Sequence, residues 1–292
     1  MDRHGRKKTG TLIINPFNGG KETMKPMYEE QRKHPVIFVG AGPGDPELIT
    51  VKGQRVLQTA DLIVYAGSLV PEAVMKWAPK DTRRVNSAGM HLDEIIDQMT
   101  EAYHSHQRVV RLHTGDPSLY GAIFEQMAEL DKKDVVYRVV PGVTAAFAAA
   151  AAMGIEYTLP EVSQTLILTR MAGRTSVPEA EALTALAAHQ ASLVIYLSIS
   201  LVDQVQTILT DAYGADAPCA VAYRVSQPGE KISITVVGDL TGLVKREQIT
   251  RQALIIVGKV LEVSKNNIIY KSKLYDPQFE HGFRKGNPTN DR

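Results

Sequence analysis

The sequence predicts an α/β protein made of two α/β units, each with a mainly parallel or mixed sheet, and a cleft between them. Three observations carry that reading. Short apolar runs alternate with stretches of helical spacing, glycine- and proline-rich loops follow several of the runs, and the alternation halts once, near residue 155, before resuming. Two such units joined by a short linker leave a groove of the kind that ligands commonly occupy.

The elements follow in order. Residues 1–34 have no periodicity and read as a mobile N-terminal extension. Apolar runs at 36–39, 62–65, 109–112 and 135–140 are strand candidates, and helical spacing appears over 46–59, 91–106 and 119–130. An alanine-rich helix is expected over 144–153, with Gly154 as its C-cap. These elements form a first unit over 35–154. Residues 155–164, with Pro160 and no period, read as the linker. A second alternating set occupies 165–263. It has strands at 166–169, 193–197, 219–223, 232–237 and 253–257, and helices at 178–189 and 201–212. Residues 264–292 are a C-terminal tail.

Composition narrows the function classes. The net charge of +1 provides no general field for nucleic acid or an anionic membrane, so neither is expected as a partner. The single cysteine, Cys219, excludes an internal disulfide and a cysteine-based metal cluster. No other cluster has metal-ligand spacing, and no apolar run approaches the roughly 20 residues needed to span a bilayer. A basic start (Arg3, Arg6, Lys7, Lys8) leads only into the short apolar run 12–14, too little for a signal-peptide core, so the expected compartment is the cytoplasm.

Three strand-end loops hold the chemistry. Gly40-Ala-Gly42-Pro43-Gly44-Asp45 resembles a dinucleotide turn, but its third glycine comes one residue early and Pro43 lacks an N–H. A nicotinamide site is therefore disfavoured. The loop is either a plain strand-to-helix turn or a place where backbone approaches a flat ligand. In His113-Thr-Gly-Asp-Pro-Ser-Leu-Tyr120, Asp116 is either a turn former or a ligand contact at a strand's C-terminal end. The third loop, Pro141-Gly-Val-Thr144, opens the alanine helix, which Thr144 could cap.

Taken together, Gly40–Thr50, Gly115-Asp-Pro117 and Pro141–Thr144 resemble the tetrapyrrole methyltransferase family, over about residues 35–262. Leu166–Arg174 and Ser272–Arg284 narrow the resemblance to members that methylate C11 of precorrin-4, with or without cobalt, in cobalamin biosynthesis. The resemblance implies the family's own fold, distinct from a Rossmann fold, and a homodimer. It also implies S-adenosylmethionine as cofactor, converted to S-adenosylhomocysteine and held between the two units. Carried over by position, Pro43 lines the adenosine side, and Thr114, Gly115, Asp116 and Leu119 face the methionine moiety. Thr144 and Ala145 meet the amino-acid end, while Leu197, Ala222 and Val225 come from the second unit. Val225 departs from the small residue usual in relatives, which leaves its contact open, with Ala222 as the alternative wall.

A carboxylate-rimmed macrocycle needs local cations and donors. Arg170 and Arg174 are the second unit's candidates, and Tyr65, Ser68 and His91 the first unit's. The plain alternative for each is an ordinary surface group or ion pair. Any metal belongs to the macrocycle, and no general base is assigned. Ala66 and Asn86-Ser87 replace the acidic residue and the basic pair of relatives acting on uroporphyrinogen, which argues against that substrate. Other readings are a methyltransferase of this fold acting at another precorrin position or on a protein, a nucleotide-binding oxidoreductase, and a non-catalytic binding module.

Overall fold

The computed structural model describes residues 34–67, 69–262 and 272–285. Residues 1–33 of the expected extension, Ser68, and 264–271 and 286–292 of the expected tail lie outside the described residues.

The first sheet contains β1 (Val36–Gly40), β2 (Leu62–Tyr65), β3 (Arg83–Asn86), β4 (Val109–His113) and β5 (Tyr137–Val140), in the order β3-β2-β4-β1-β5. Every pairing is parallel. The central strands β1 and β4 are almost wholly buried and read as continuous apolar runs, as strands covered on both faces do. Arg111 and His113 are the exceptions in β4. The polar edge strand β3 shows no apolar run, which is why the sequence pattern misses it.

The helices here are α1 (Val51–Leu57), α2 (Leu92–His104), α3 (Ile123–Lys132) and α4 (Ala145–Met153). α2 buries Ile95, Ile96, Met99, Ala102 and Tyr103 on one face, the spacing its sequence predicts. The helix expected over 46–59 is broken. Asp45 caps a single 3-10 turn through the Glu47 N–H (2.8 Å), and Thr50 then caps α1 through the Gly53 N–H (3.0 Å). The helix expected from 119 starts only at Ile123, because Tyr120 and Ala122 have left-handed φ of 56° and 48°. α4 ends at Gly154 in left-handed conformation, as expected.

The second sheet contains β6 (Leu166–Arg170), β7 (Ser192–Tyr196), β8 (Pro218–Tyr223), β9 (Lys231–Val236) and β10 (Ala253–Val257), in the order β6-β7-β10-β8-β9. Only β6 and β7 pair in parallel. The strand–helix alternation lapses after β8 because the 224–230 connection to β9 is too short for a crossover. α5 (Leu183–Ala187), α6 (Val202–Tyr213) and α7 (Leu240–Arg246) cover one face through Leu193, Val205, Leu209, Val221 and Leu240. The helix expected over 178–189 is reduced to α5 and a preceding 3-10 turn, and α7 was not anticipated.

The other face of this sheet is covered by α4. Ala146 and Ala149, fully buried, lie in one cluster with Val194, Ala220, Ala222, Leu254 and Ile256. The alanine run thus gives a thin helix that follows the first sheet in the chain and seals the second.

Candidate functional site

Three loops meet at the C-terminal ends of β1, β4 and β5. Gly42 and Gly115 pair as an isolated bridge, with N–H···O distances of 2.8 and 3.3 Å, and the Ala41 N–H donates to the His113 carbonyl at 2.7 Å. A Cβ on Gly142 would lie 2.1 Å from the Gly115 oxygen, and one on Gly40 would lie 2.6 Å from both Gly115 O and Gly142 Cα. The glycines of β1 and the third loop are therefore required by loop-against-loop packing.

Asp116 ties these loops together. One carboxylate oxygen accepts from the Gly142 N–H at 2.8 Å, and the other accepts from the Ser118 N–H at 2.8 Å and from the Ser118 hydroxyl. Partial burial pushes this carboxyl up, but the three hydrogen bonds outweigh it and hold it below the ordinary carboxylate range. Asp116 is a latch between the second and third loops.

The second sheet reaches this cluster twice. The Tyr196 hydroxyl lies 2.6 Å from Thr144 Oγ1 and accepts from the Ala146 N–H at 3.0 Å, so β7 caps the start of α4. Burial raises the Tyr196 phenol, and these bonds pull partly against the rise. Gln227 Nε2 donates to the Pro43 carbonyl at 2.9 Å, and the Asp45 N–H donates to Ser226 Oγ at 3.0 Å. Leu197 directly follows Tyr196. It is 64% exposed and holds a left-handed φ of 53°, an uncommon pairing for a large apolar residue at the end of a buried strand. Tyr120 rests against Tyr196 with ring centroids 5.6 Å apart.

The structure brings Pro43, Thr114, Gly115, Asp116, Thr144 and Ala145 into or beside this junction. Thr114 and Leu119 also line a cavity of about 330 Å³ at the ends of β2 and β4. Pro43 is buried, with its carbonyl already taken by Gln227. Ala222 (1% exposed) and Val225 (5%) are packed into the cluster under α4. Their apolar bulk serves the sheet–helix core.

Arg170 is half-buried at the end of β6. Its guanidinium donates to the carbonyls of Met171 (3.4 Å), Thr175 (3.2 Å) and Ser176 (2.6 Å), bracing its own loop. Arg174 is exposed and Tyr65 is half-buried in the first sheet's core. His91 is the exposed N-cap of α2, its N–H bonded to Glu94 at 2.7 Å.

Sequence reasoning passed over Arg111 and His113. Both are buried in β4 and line the cavity. Burial pushes the Arg111 guanidinium down to about 10. Burial, reinforced by the Arg111 charge, holds the His113 imidazole down to about 3, and its ring stacks on Phe38 at 5.9 Å. The available signal was a cation and an imidazole inside the otherwise apolar run Val-Val-Arg-Leu-His.

Residues 35–241 match the family described as Tetrapyrrole (Corrin/Porphyrin) Methylases. A cobalt-precorrin-4 C(11)-methyltransferase from Methanocaldococcus jannaschii is 50% identical over 252 residues, covering 86% of this chain and 96% of that protein. The solved structure of a cobalt precorrin-4 methyltransferase of cobalamin biosynthesis superposes with a TM-score of 0.77 at 43% identity, covering 82% of this chain and 99% of the other. The structure of a uroporphyrin-III C-methyltransferase from Thermus thermophilus, complexed with S-adenosylhomocysteine, gives a TM-score of 0.67 at 28% identity, covering 78% and 99%. With the two-sheet architecture, the loop junction and these matches in agreement, the chain belongs to the tetrapyrrole (corrin/porphyrin) methylase family.

Proposed function

We propose that the protein is an S-adenosylmethionine-dependent C-methyltransferase acting at C11 of cobalt-precorrin-4 in cobalamin biosynthesis. The observation that carries this reading is the junction itself. Three glycine loops, latched by Asp116, face a second-sheet edge where Leu197 is held exposed in left-handed backbone. A flat apolar ligand face would cover Leu197, so the residues present fit an adenosyl group. The relative of 50% identity supports the substrate.

S-adenosylmethionine supplies an already activated methyl group when bound. The chain's own work is then positioning. Thr114, Gly115, Asp116 and Leu119 form one wall, Thr144 and Ala145 the amino-acid end, and Pro43 and Leu197 the adenosine side. Correct alignment of reacting atoms is worth up to about 7–11 kcal/mol in favourable cases. The reading includes division into units 35–154 and 165–263, a homodimer and a cytoplasmic setting. Among the described residues no helix is long and apolar enough to cross a membrane.

The test is incubation with labelled S-adenosylmethionine and the C17-methylated precursor, with and without cobalt, followed by NMR location of the new methyl. A methyl at C11 is expected. A methyl elsewhere, or none from a folded protein that binds S-adenosylhomocysteine, would overturn the substrate assignment. Light scattering should give about twice 32.0 kDa.

A further inference from the structure

We propose that the C-terminal segment 272–285 is a folded cap for the tetrapyrrole substrate, which lays Tyr275 and Phe283 on the flat face of the macrocycle. This rests on the function proposed above and deepens it. The segment lies beyond residues 35–241, which match the family, so it is an addition to the shared fold.

The segment is built around Arg284. Its Nη2 donates to the carbonyls of Leu274 and Asp276, both at 2.7 Å, and of Phe279 at 3.3 Å. His281 and Arg284 exchange backbone hydrogen bonds at 2.9 Å in both directions. The Asp276 carboxylate accepts from the Gln278 N–H at 2.9 Å, and the Ser272 hydroxyl accepts from the Leu274 N–H at 3.2 Å. Polar side chains are thus turned inward onto backbone, and apolar ones outward. Phe283 is fully exposed, Tyr275 is 77% exposed and Leu274 48%. None of them joins the hydrophobic clusters of the described residues. An ordinary solvated tail has the opposite polarity. Rings held in water on a backbone fixed by hydrogen bonds mark a recognition surface, and the fixed backbone reduces the entropy lost on binding.

Charge and reach select the macrocycle as the partner. Residues 264–292 hold six Lys or Arg and three Asp or Glu, a net +3 in a chain whose total is +1. The rest of the chain is therefore net acidic, and the attraction for a polyanion is concentrated in the tail. Flat aromatic faces among cations match a flat ring rimmed by carboxylates. For reach, β10 pairs antiparallel with β7, so the chain leaves the second sheet at the end away from Tyr196. A strand of five residues spans about 17 Å. The nine residues between Glu262 and Ser272 allow about 30 Å. The cap can therefore reach the junction beside Leu197.

The experiment measures dissociation constants for cobalt-precorrin-4 and for S-adenosylhomocysteine, with light scattering alongside, on the full chain and two double variants. Tyr275→Ser with Phe283→Ser removes both rings, and Tyr275→Phe with Phe283→Tyr keeps them. Both positions are exposed, so neither exchange disturbs a core. The serine pair should weaken macrocycle binding about tenfold, and the ring-keeping pair should stay within about twofold of the parent. S-adenosylhomocysteine affinity should stay within about twofold in both, and the mass in solution should not change. Equal macrocycle binding by the serine pair and the parent would overturn the cap. A halved mass for the serine pair would assign the rings to a second copy of the chain and overturn it as well. Failure of the parent chain itself to bind cobalt-precorrin-4, with S-adenosylhomocysteine still bound, would instead overturn the proposed function.

Discussion

Asp116 shows how a residue can belong to a ligand loop and still act first on its own chain. Its carboxylate binds two backbone N–H groups and one hydroxyl, and one of the N–H groups lies on the neighbouring loop. Asp116→Ala should therefore lower stability by about 1–3 kcal/mol, because it leaves those donors unpaired. S-adenosylhomocysteine affinity should fall with it. Thermal and urea unfolding check the first effect and calorimetry the second. An unchanged unfolding midpoint would mean that the side chain serves a ligand only. His113 makes a second residue-scale claim. Its native imidazole titrates at about 3, below the ordinary 6.5. The unfolded chain therefore takes up a proton, as pH falls below about 6.5, that the native state refuses. The neutral-histidine contribution is intact above 6.5 and drains away toward 3, by at most about 1.4 kcal/mol per pH unit. Between about pH 7.5 and about pH 5, the parent should lose roughly 2 kcal/mol more than His113→Gln, as read from urea midpoints.

At the scale of elements, the glycine-rich loops and the alanine helix share one explanation: small residues where backbone must approach backbone. Gly142 is the sharpest case, with a Cβ due 2.1 Å from a carbonyl oxygen. Gly142→Ala should force the third loop away from the second and cost about 3 kcal/mol, at the upper end of overpacking. Gly154→Ala changes only a left-handed cap with open space around it and should cost about 1 kcal/mol. Comparing the two unfolding midpoints separates packing from backbone preference. The glycine and proline positions were plain in the sequence, but whether they faced a ligand or one another was not. A single sequence reports which residues tolerate close approach and does not report what approaches them.

For the whole molecule, side chains of the second unit hydrogen-bond to the first unit's loops at the site. Tyr196 grips Thr144 and Ala146 at the start of α4, while Ser226 and Gln227 grip the first loop. Tyr196→Phe would leave the Ala146 N–H and the Thr144 hydroxyl without their partner. It should lower stability by about 1–3 kcal/mol and weaken S-adenosylhomocysteine binding at a residue that need not touch the ligand. The check is a double-mutant cycle with Thr144→Ala, in which strong non-additivity is expected because the two hydroxyls share one contact.

The sequence by itself determined the two-unit α/β class, nearly every strand, the alanine helix with its glycine cap, and the three loops that mark the family. These are local properties, written in the period of apolar residues and in the conformational needs of glycine and proline. Tertiary structure decided the rest. It made the pairings among β7, β8, β9 and β10 in the second sheet antiparallel, sent α4 to seal that sheet, sank Ala222 and Val225 into the core beneath it, and folded Arg170 onto its own loop. It also buried Arg111 and His113 in a central strand, where both line a cavity. Each of these outcomes depends on which distant segments meet. Side-chain burial and charge partnership arise only at such meetings, so residue type and spacing along one chain do not encode them directly.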